Sequence, residues 1–193
     1  MRVENSFIGA SGVGATTERR LWEAGITHWD DFHRDAPGVG ETRARNVESF
    51  IADARAALDD GDSRFFANRF PNDDRWRLYE TFREDACFFD IETTGLSADT
   101  DRVTTVSAHQ GGETTTLVAG DDLTRERVTD LLDAPLLVTY NGRRFDVPFL
   151  ESAFDLSLDA PQFDLLSPCH RLGLTGGLKA VEREVGIERD RPD

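Results

Sequence analysis

One stretch limits the possible folds more than any other: Cys87-Phe88-Phe89-Asp90-Ile91-Glu92-Thr93-Thr94-Gly95-Leu96. An apolar run carries two acids one residue apart and then breaks into a turn. Side chains of a strand alternate faces, so Asp90 and Glu92 share one face while Phe89 and Ile91 pack the other way. Neighbouring carboxylates repel, and desolvating them is costly. A divalent cation with oxygen ligands compensates such a pair well. The competing reading is a surface strand with two solvated acids, but solvated faces are usually more polar than this run.

The chain has 193 residues, enough for one medium domain or two small ones. Its net charge is −15, and Lys179 is the sole lysine, so arginine supplies nearly all the positive charge. This combination is expected of a halophilic protein in a salty cytoplasm, where salt screens acidic self-repulsion. An acidic total normally argues against a nucleic-acid partner. Here the local arginines carry more information than the total. Two cysteines, Cys87 and Cys169, are too few for a disulfide framework or a cysteine zinc site. The polar start, Met1 to Ser6, is not followed by the apolar core of a signal peptide. No apolar run approaches membrane-spanning length. A soluble, cytoplasmic protein without a membrane partner is expected.

Residues 1–60 contain a repeated glycine pattern. Gly12-Val13-Gly14 recurs as Gly38-Val39-Gly40, and a helical pattern follows each. The second helix places Ala44, Val47, Phe50, Ile51, Ala54 and Leu58 on one apolar face. Between the helices, Ile26 to Phe32 reads as a turn entering a short helix, with Thr27 or Asp30 as its cap. Two glycines around an apolar residue let the backbone turn tightly and aim free N–H groups outward, which suits a phosphate oxygen. The pattern resembles the helix-hairpin-helix module, here in tandem. That resemblance implies contact with a nucleic-acid backbone through Gly12, Val13, Gly14, Gly38, Val39 and Gly40, without sequence readout. The first copy carries Glu18 where the second has small Ala44. The plainer reading is a helical packing module that never meets nucleic acid. His28 and His33 match no metal-ligand spacing.

Residues 61–85 form an aromatic-rich connector. Phe65, Phe66, Phe70, Trp76, Tyr79 and Phe82 alternate with arginines and acids. A flexible linker would lack such residues, so the segment is expected to dock on its neighbours. Aromatics beside Arg64, Arg69, Arg75 and Arg77 also have the composition of a base-stacking surface.

From residue 86 onward the pattern predicts strands over 86–92, 102–108 and 113–118, with a hairpin at Gly111-Gly112. A helix capped by Thr124 or Asp122 should follow, then a short strand over 136–140 parallel to the first. Sites in open α/β sheets gather at the carboxyl ends of parallel strands. Asp90 and Glu92 sit near one such end. The segment Tyr140-Asn141-Gly142-Arg143-Arg144-Phe145-Asp146 follows the other, so Asp146 is positioned to meet them. Taken singly, Asp146 would also suit a helix N-terminus.

At these residues a resemblance becomes specific. The stretch Asp90 to Leu96 resembles the first motif of the DEDD exonucleases, and Tyr140 to Asp146 resembles the second. Both are similar to the proofreading domains of family B DNA polymerases. They are most similar to the YprB-like exonucleases of the ribonuclease H-like superfamily, as are Phe163-Asp164-Leu165-Leu166 and Gly176-Gly177-Leu178-Lys179-Ala180-Val181-Glu182. The resemblance covers residues 86–193. It implies an α+β protein overall: a small all-α module, then an α/β ribonuclease H-like domain with a mixed sheet.

The resemblance further implies two-metal phosphodiester hydrolysis with two Mg²⁺ or Mn²⁺ ions, roughly 4 Å apart. Asp90 would bridge the ions, Glu92 would bind one and orient the nucleophile, and Asp146 would hold the other. Thr93 and Thr94 would face the 3′-terminal nucleotide, and Asn141, Arg143 and Arg144 would contact phosphate or order the site. The family carries a fourth aspartate in a later helix, and no such motif follows Asp146. The domain is therefore expected to be incomplete at its C-terminus or to have lost an acid, with Asp164, Asp190 and Asp193 as the remaining candidates. His170 would be a general base or a structural residue. The expected function is a 3′–5′ exonuclease on DNA. An exoribonuclease and a non-catalytic nucleic-acid-binding adaptor are the alternatives.

Overall fold

Apolar alternation in residues 87–118 resolves into three antiparallel strands, β1 (Cys87–Thr93), β2 (Val103–Gln110) and β3 (Glu113–Val118). The structure is a computed structural model and describes residues 1–188. β4 (Leu137–Thr139) and β5 (Gln162–Asp164) add on the other side of β1, giving the order β3-β2-β1-β4-β5. β4 runs parallel to β1 and β5 parallel to β4, so the sheet is mixed. β1 runs one residue and β2 two residues past their expected ends, where the pairing of Thr93 with Val103, of His109 with Phe88 and of Gln110 with Glu113 continues the ladder. The first extends only to Thr93 because the register slips between Glu92 and Thr93.

The two faces of the sheet belong to different cores. Phe89, Ile91, Val106, Leu117 and Leu137 point to one face, which is covered by α5 (Arg125–Leu131) and α6 (Asp146–Phe154). Thr124 caps α5 by accepting from the Arg127 N–H. On the opposite face, Phe88, Val138 and Phe163 meet the N-terminal half of the chain. The short helices α7 (Leu166–Arg171) and α8 (Leu178–Glu184) follow β5.

The N-terminal half holds α1 (Ala15–Glu23), α2 (Glu41–Asp59), α3 (Ser63–Arg69) and α4 (Tyr79–Phe82). Buried Ala44, Val47, Phe50, Ala54 and Ala57 form the expected face of α2. The two glycine triplets fold alike. In each, the valine N–H donates to an alanine carbonyl three residues back, Val13 to Ala10 and Val39 to Ala36. Gly12 and Gly38 take φ of 82° and 75°, the left-handed position that a type II turn gives to glycine. Gly14 and Gly40 then cap α1 and α2.

Residues 61–85 complete this core and do not stand apart from it. Phe66 is fully buried, lies 6.4 Å from Trp29 and contacts Phe65, Phe70 and Phe82. Burying one such ring contributes about 1.5–3 kcal/mol. Tyr79 packs on Phe88 of β1 and Phe163 of β5, which seats the segment on the sheet. Trp76 to Leu78 closes a 3₁₀ turn, Asn72–Leu78, and α4 follows it directly.

One further expectation is corrected. The cap of the short turn Trp29–Asp31 is His28, whose Nδ1 accepts from the Asp30 N–H; it is neither Thr27 nor Asp30. Asp31 completes the turn by accepting from the Thr27 and His28 N–H groups. Glu18, which stands where the second glycine copy has Ala44, is buried. It is 1% exposed, with Oε1 accepting from Ser6 Oγ and the Phe7 and Ile8 N–H groups and Oε2 bound to Arg77 at 2.7 Å.

Candidate functional site

Strand geometry places Asp90 and Glu92 together on the face of β1 away from the α5–α6 layer, both exposed. Asp146 reaches β1 from the first turn of α6. It is 4% exposed, and its Oδ1 accepts from the Ile91 N–H at 3.2 Å, between the two strand acids. Burial raises the Asp146 carboxyl to about 6, the charge of Asp90 pushes in the same direction, and Asp164 adds a smaller contribution. The Ile91 N–H partly opposes that rise. The sheet and α6 thus bring Asp90 and Asp146 within electrostatic reach, with Glu92 one pleat further along β1.

The loop before α6 is held by Asp164, the last residue of β5. Its Oδ1 accepts from the Asn141 N–H at 2.7 Å and the Leu166 N–H at 3.0 Å, and its Oδ2 from the Arg143 N–H at 3.2 Å. Asp164 is therefore a loop clamp, a role visible in sequence only as an Asx-type turn after a strand. Asn141 adopts φ of 66°, and a Cβ on Gly142 would lie 2.4 Å from Thr139 Oγ1, so glycine is the residue that fits there. The Arg143 and Arg144 side chains are exposed. Past β1, Thr93 Oγ1 donates to the Gly95 carbonyl, and Thr94 Oγ1 accepts from the Arg102 N–H at 3.0 Å. Asp101 accepts from Thr94 Oγ1 and the Ser97 N–H, a loop anchor that sequence reasoning passed over. Leu96 is 86% exposed on this loop.

Beside Asp90 lies a hollow of about 330 Å³, lined by Phe88, Val138, Tyr140 and Leu178 among others. The Tyr140 hydroxyl donates to the Gly176 carbonyl at 2.8 Å, tying the loop before α8 to this wall. No sequence signal marked the hollow, because its lining comes from separate elements. His170 lies on α7, exposed, and lines a different hollow with Arg143 and Arg171. The hairpin triplets lie in the helical N-terminal half. There Arg43 sits by both turns: Nη1 donates to the Gly38 carbonyl at 3.0 Å, and Nε lies beside Gly12. Asp190 and Asp193 lie outside the described residues.

Among the described residues, no three His, Cys, Asp or Glu side chains form a ready-made group for a metal ion. The donors that do meet are carboxylate oxygens, one buried and held against a neighbouring negative charge. That set fits a hard cation of the Mg²⁺ type, which typically uses one or two carboxylates and keeps its remaining positions for water and substrate phosphate. No helix among the described residues is long and apolar enough to cross a membrane.

The chain is similar to several solved structures over part of its length. Brucella melitensis NrnC bound to pGG superposes with a TM-score of 0.46 at 25% identity, covering 60% of this chain and 59% of that one. E. coli exonuclease I in complex with a dA16 oligonucleotide gives 0.44 at 16% identity, with 55% and 37% covered. The family B DNA polymerase of Pyrobaculum calidifontis gives 0.44 at 17% identity, with 54% and 18% covered. This chain thus spans less than two thirds of the length of each of these neighbours. No curated protein matches it. The family model described as the RNase H superfamily matches residues 87–193, more than half of the sequence, and the chain belongs to that superfamily.

Proposed function

We propose that this protein is a metal-dependent nuclease, a 3′–5′ exonuclease acting on DNA. The carrying observation is the carboxylate pair: Asp146, buried and held on the Ile91 N–H, stands within the field of Asp90. Two like charges held together, one of them in low dielectric, form an arrangement that a divalent cation relieves. Asp90, Asp146 and Glu92 would hold two Mg²⁺ or Mn²⁺ ions, which when bound lower the pKa of an attacking water and stabilise charge on the attacking and leaving oxygens. Glu92, one pleat beyond Asp90 and exposed, would orient that water. Asp164 fixes the Asn141–Arg143 backbone, so Asn141 and Arg143 would meet substrate phosphate from a preset loop. Thr93 and Thr94 hold the turn after β1, which would face the terminal nucleotide, with exposed Leu96 offering an apolar contact.

The paired turns at Gly12-Val13-Gly14 and Gly38-Val39-Gly40 support a tandem helix-hairpin-helix reading. Each ends at a helix N-terminus, and Arg43 lies between them. They would grip the backbone without reading sequence. A non-catalytic adaptor is the second reading, favoured by the lack of three clustered metal ligands among the described residues.

The test uses end-labelled single- and double-stranded DNA and RNA in high KCl with Mn²⁺. The expected result is a ladder shortening from the 3′ end of DNA. Asp90→Ala and Asp146→Asn should lose it by at least about 100-fold, since each removes charge from the pair. Mn²⁺ should also raise the melting temperature of the wild type and not of Asp90→Ala. Equal cleavage by wild type and Asp90→Ala would refute the assignment. Binding without cleavage would support the adaptor.

A further inference from the structure

Away from the carboxylates, three adjoining hollows share Arg143 as a common wall. Their volumes are about 690, 470 and 60 Å³. Arginines from separate segments converge on them: Arg64 from α3, Arg75 from the Asn72–Leu78 turn, Arg143 and Arg144 from the loop before α6, and Arg171 from α7. In a chain of net charge −15 this concentration needs a cause.

Arg75 gives the sharpest sign of one. Its Nε is closed off from solvent and has no hydrogen-bond partner. Burial lowers its proton affinity, and the charge of Arg143 lowers it further. Two like charges therefore line the same hollows. Of the acids lining these hollows, Asp164 is committed to three backbone N–H groups, Asp159 bonds to Ser157 Oγ, and Asp73 pairs with Arg171, which leaves Arg75 and Arg143 facing the hollows they share. Guanidinium forks match phosphate oxygens in geometry as well as charge. The two larger hollows exceed the needs of a single ion, and Trp76, 37% exposed, borders the smallest. An exposed ring beside arginines is a stacking surface for an unpaired base.

The position connects this region to the acidic site. Asp164 holds the Arg143 N–H, and Asp146 follows three residues later at the start of α6. We propose that the cleft walled by Arg64, Arg75 and Arg143 binds the phosphate backbone of a single nucleic-acid strand, with Trp76 stacking on a base, and leads that strand past the Asp90–Asp146 pair. The inference rests on the nuclease reading for its direction, but the binding itself needs no cleavage.

The experiment is fluorescence anisotropy with the full chain in EDTA, using a labelled twelve-nucleotide single strand across a salt series. Arg64→Gln/Arg75→Gln/Arg143→Gln should bind at least tenfold more weakly. Its log–log salt slope should be shallower by about 2, since each backbone contact on a single strand contributes about 0.7. Trp76→Ala should weaken binding with an unchanged slope. Circular dichroism and urea unfolding establish that each variant is folded, and Arg75→Lys should retain most of the wild-type slope. A folded triple variant with wild-type affinity and slope would overturn the cleft. So would a nucleoside monophosphate binding as tightly as the strand, or a duplex of the same length binding more tightly. Loss of binding in the triple variant with no cleavage by the wild type would uphold the cleft while removing the nuclease reading. Cleavage that depends on Asp90, with binding untouched by the triple change, would do the reverse.

Discussion

The backbone N–H of Ile91 donates to Asp146 Oδ1 at 3.2 Å, so the residue between the two strand acids fixes the position of the third. The burial of Asp146 at this position, beside Asp90, sets a pH dependence. An aspartate ordinarily titrates near 3.8, and Asp146 is pushed up to about 6, first by burial and then by Asp90. Between those values the folded chain holds a proton that the unfolded chain has released. Stability from this group is therefore present in full below about pH 4 and is lost as pH rises through 6, a total of roughly 3 kcal/mol. Asp146→Asn keeps an acceptor for Ile91 and removes the charge. It should stabilise the protein in urea at pH 7.5 by up to about that amount, with the difference from wild type shrinking toward pH 4. A variant less stable than wild type at pH 7.5 would contradict this account.

The turn before α6 makes a second prediction. A methyl group at position 142 would meet Thr139 Oγ1 at 2.4 Å and Thr139 Cβ at 2.5 Å, too close for either to remain. Gly142→Ala must therefore displace the Asn141–Arg143 backbone or the buried Thr139. Overpacking of this kind costs about 1–3 kcal/mol. Nuclease activity in Mn²⁺ should fall by more than the loss of stability explains, because the same loop carries Arg143 and leads into Asp146. An Ala variant with native stability and full activity would show that the close approach has no consequence.

Much of this architecture was legible in the chain. The alternation around Asp90 and Glu92 predicted a strand with both acids on one face, and β3 begins and ends where the pattern places it. The parallel return of β4 and the approach of Asp146 followed from topology. Roles that depend on distant partners were not legible. Asp164 was one of the candidates for the missing acid, and its hold on the loop was hidden because its three N–H donors come from residues 141, 143 and 166. The convergence of Arg64 and Arg75 on Arg143 joins positions more than sixty residues apart, which no local pattern records. The role of Glu18 was hidden for the same reason: its partner, Arg77, lies 59 residues away.

Glu18 supports the last prediction. Arg77 is 6% exposed, and its guanidinium meets Glu18 Oε2 at 2.7 Å, Ser6 Oγ at 2.8 Å and Asp74 Oδ1 at 2.7 Å. The other Glu18 oxygen satisfies the Phe7 and Ile8 N–H groups. Glu18→Ala would leave a buried guanidinium short of counter-charge and two backbone donors without an acceptor. Removing one partner from a buried pair costs about 3–5 kcal/mol. Replacing both partners by apolar residues avoids the isolated charge, so Glu18→Leu/Arg77→Met should cost less than the sum of the single changes. Urea unfolding of the two single variants and the double variant measures this coupling directly. Strict additivity would show that the buried ion pair does not act as a unit in holding the N-terminal segment to α1 and the Asn72–Leu78 turn.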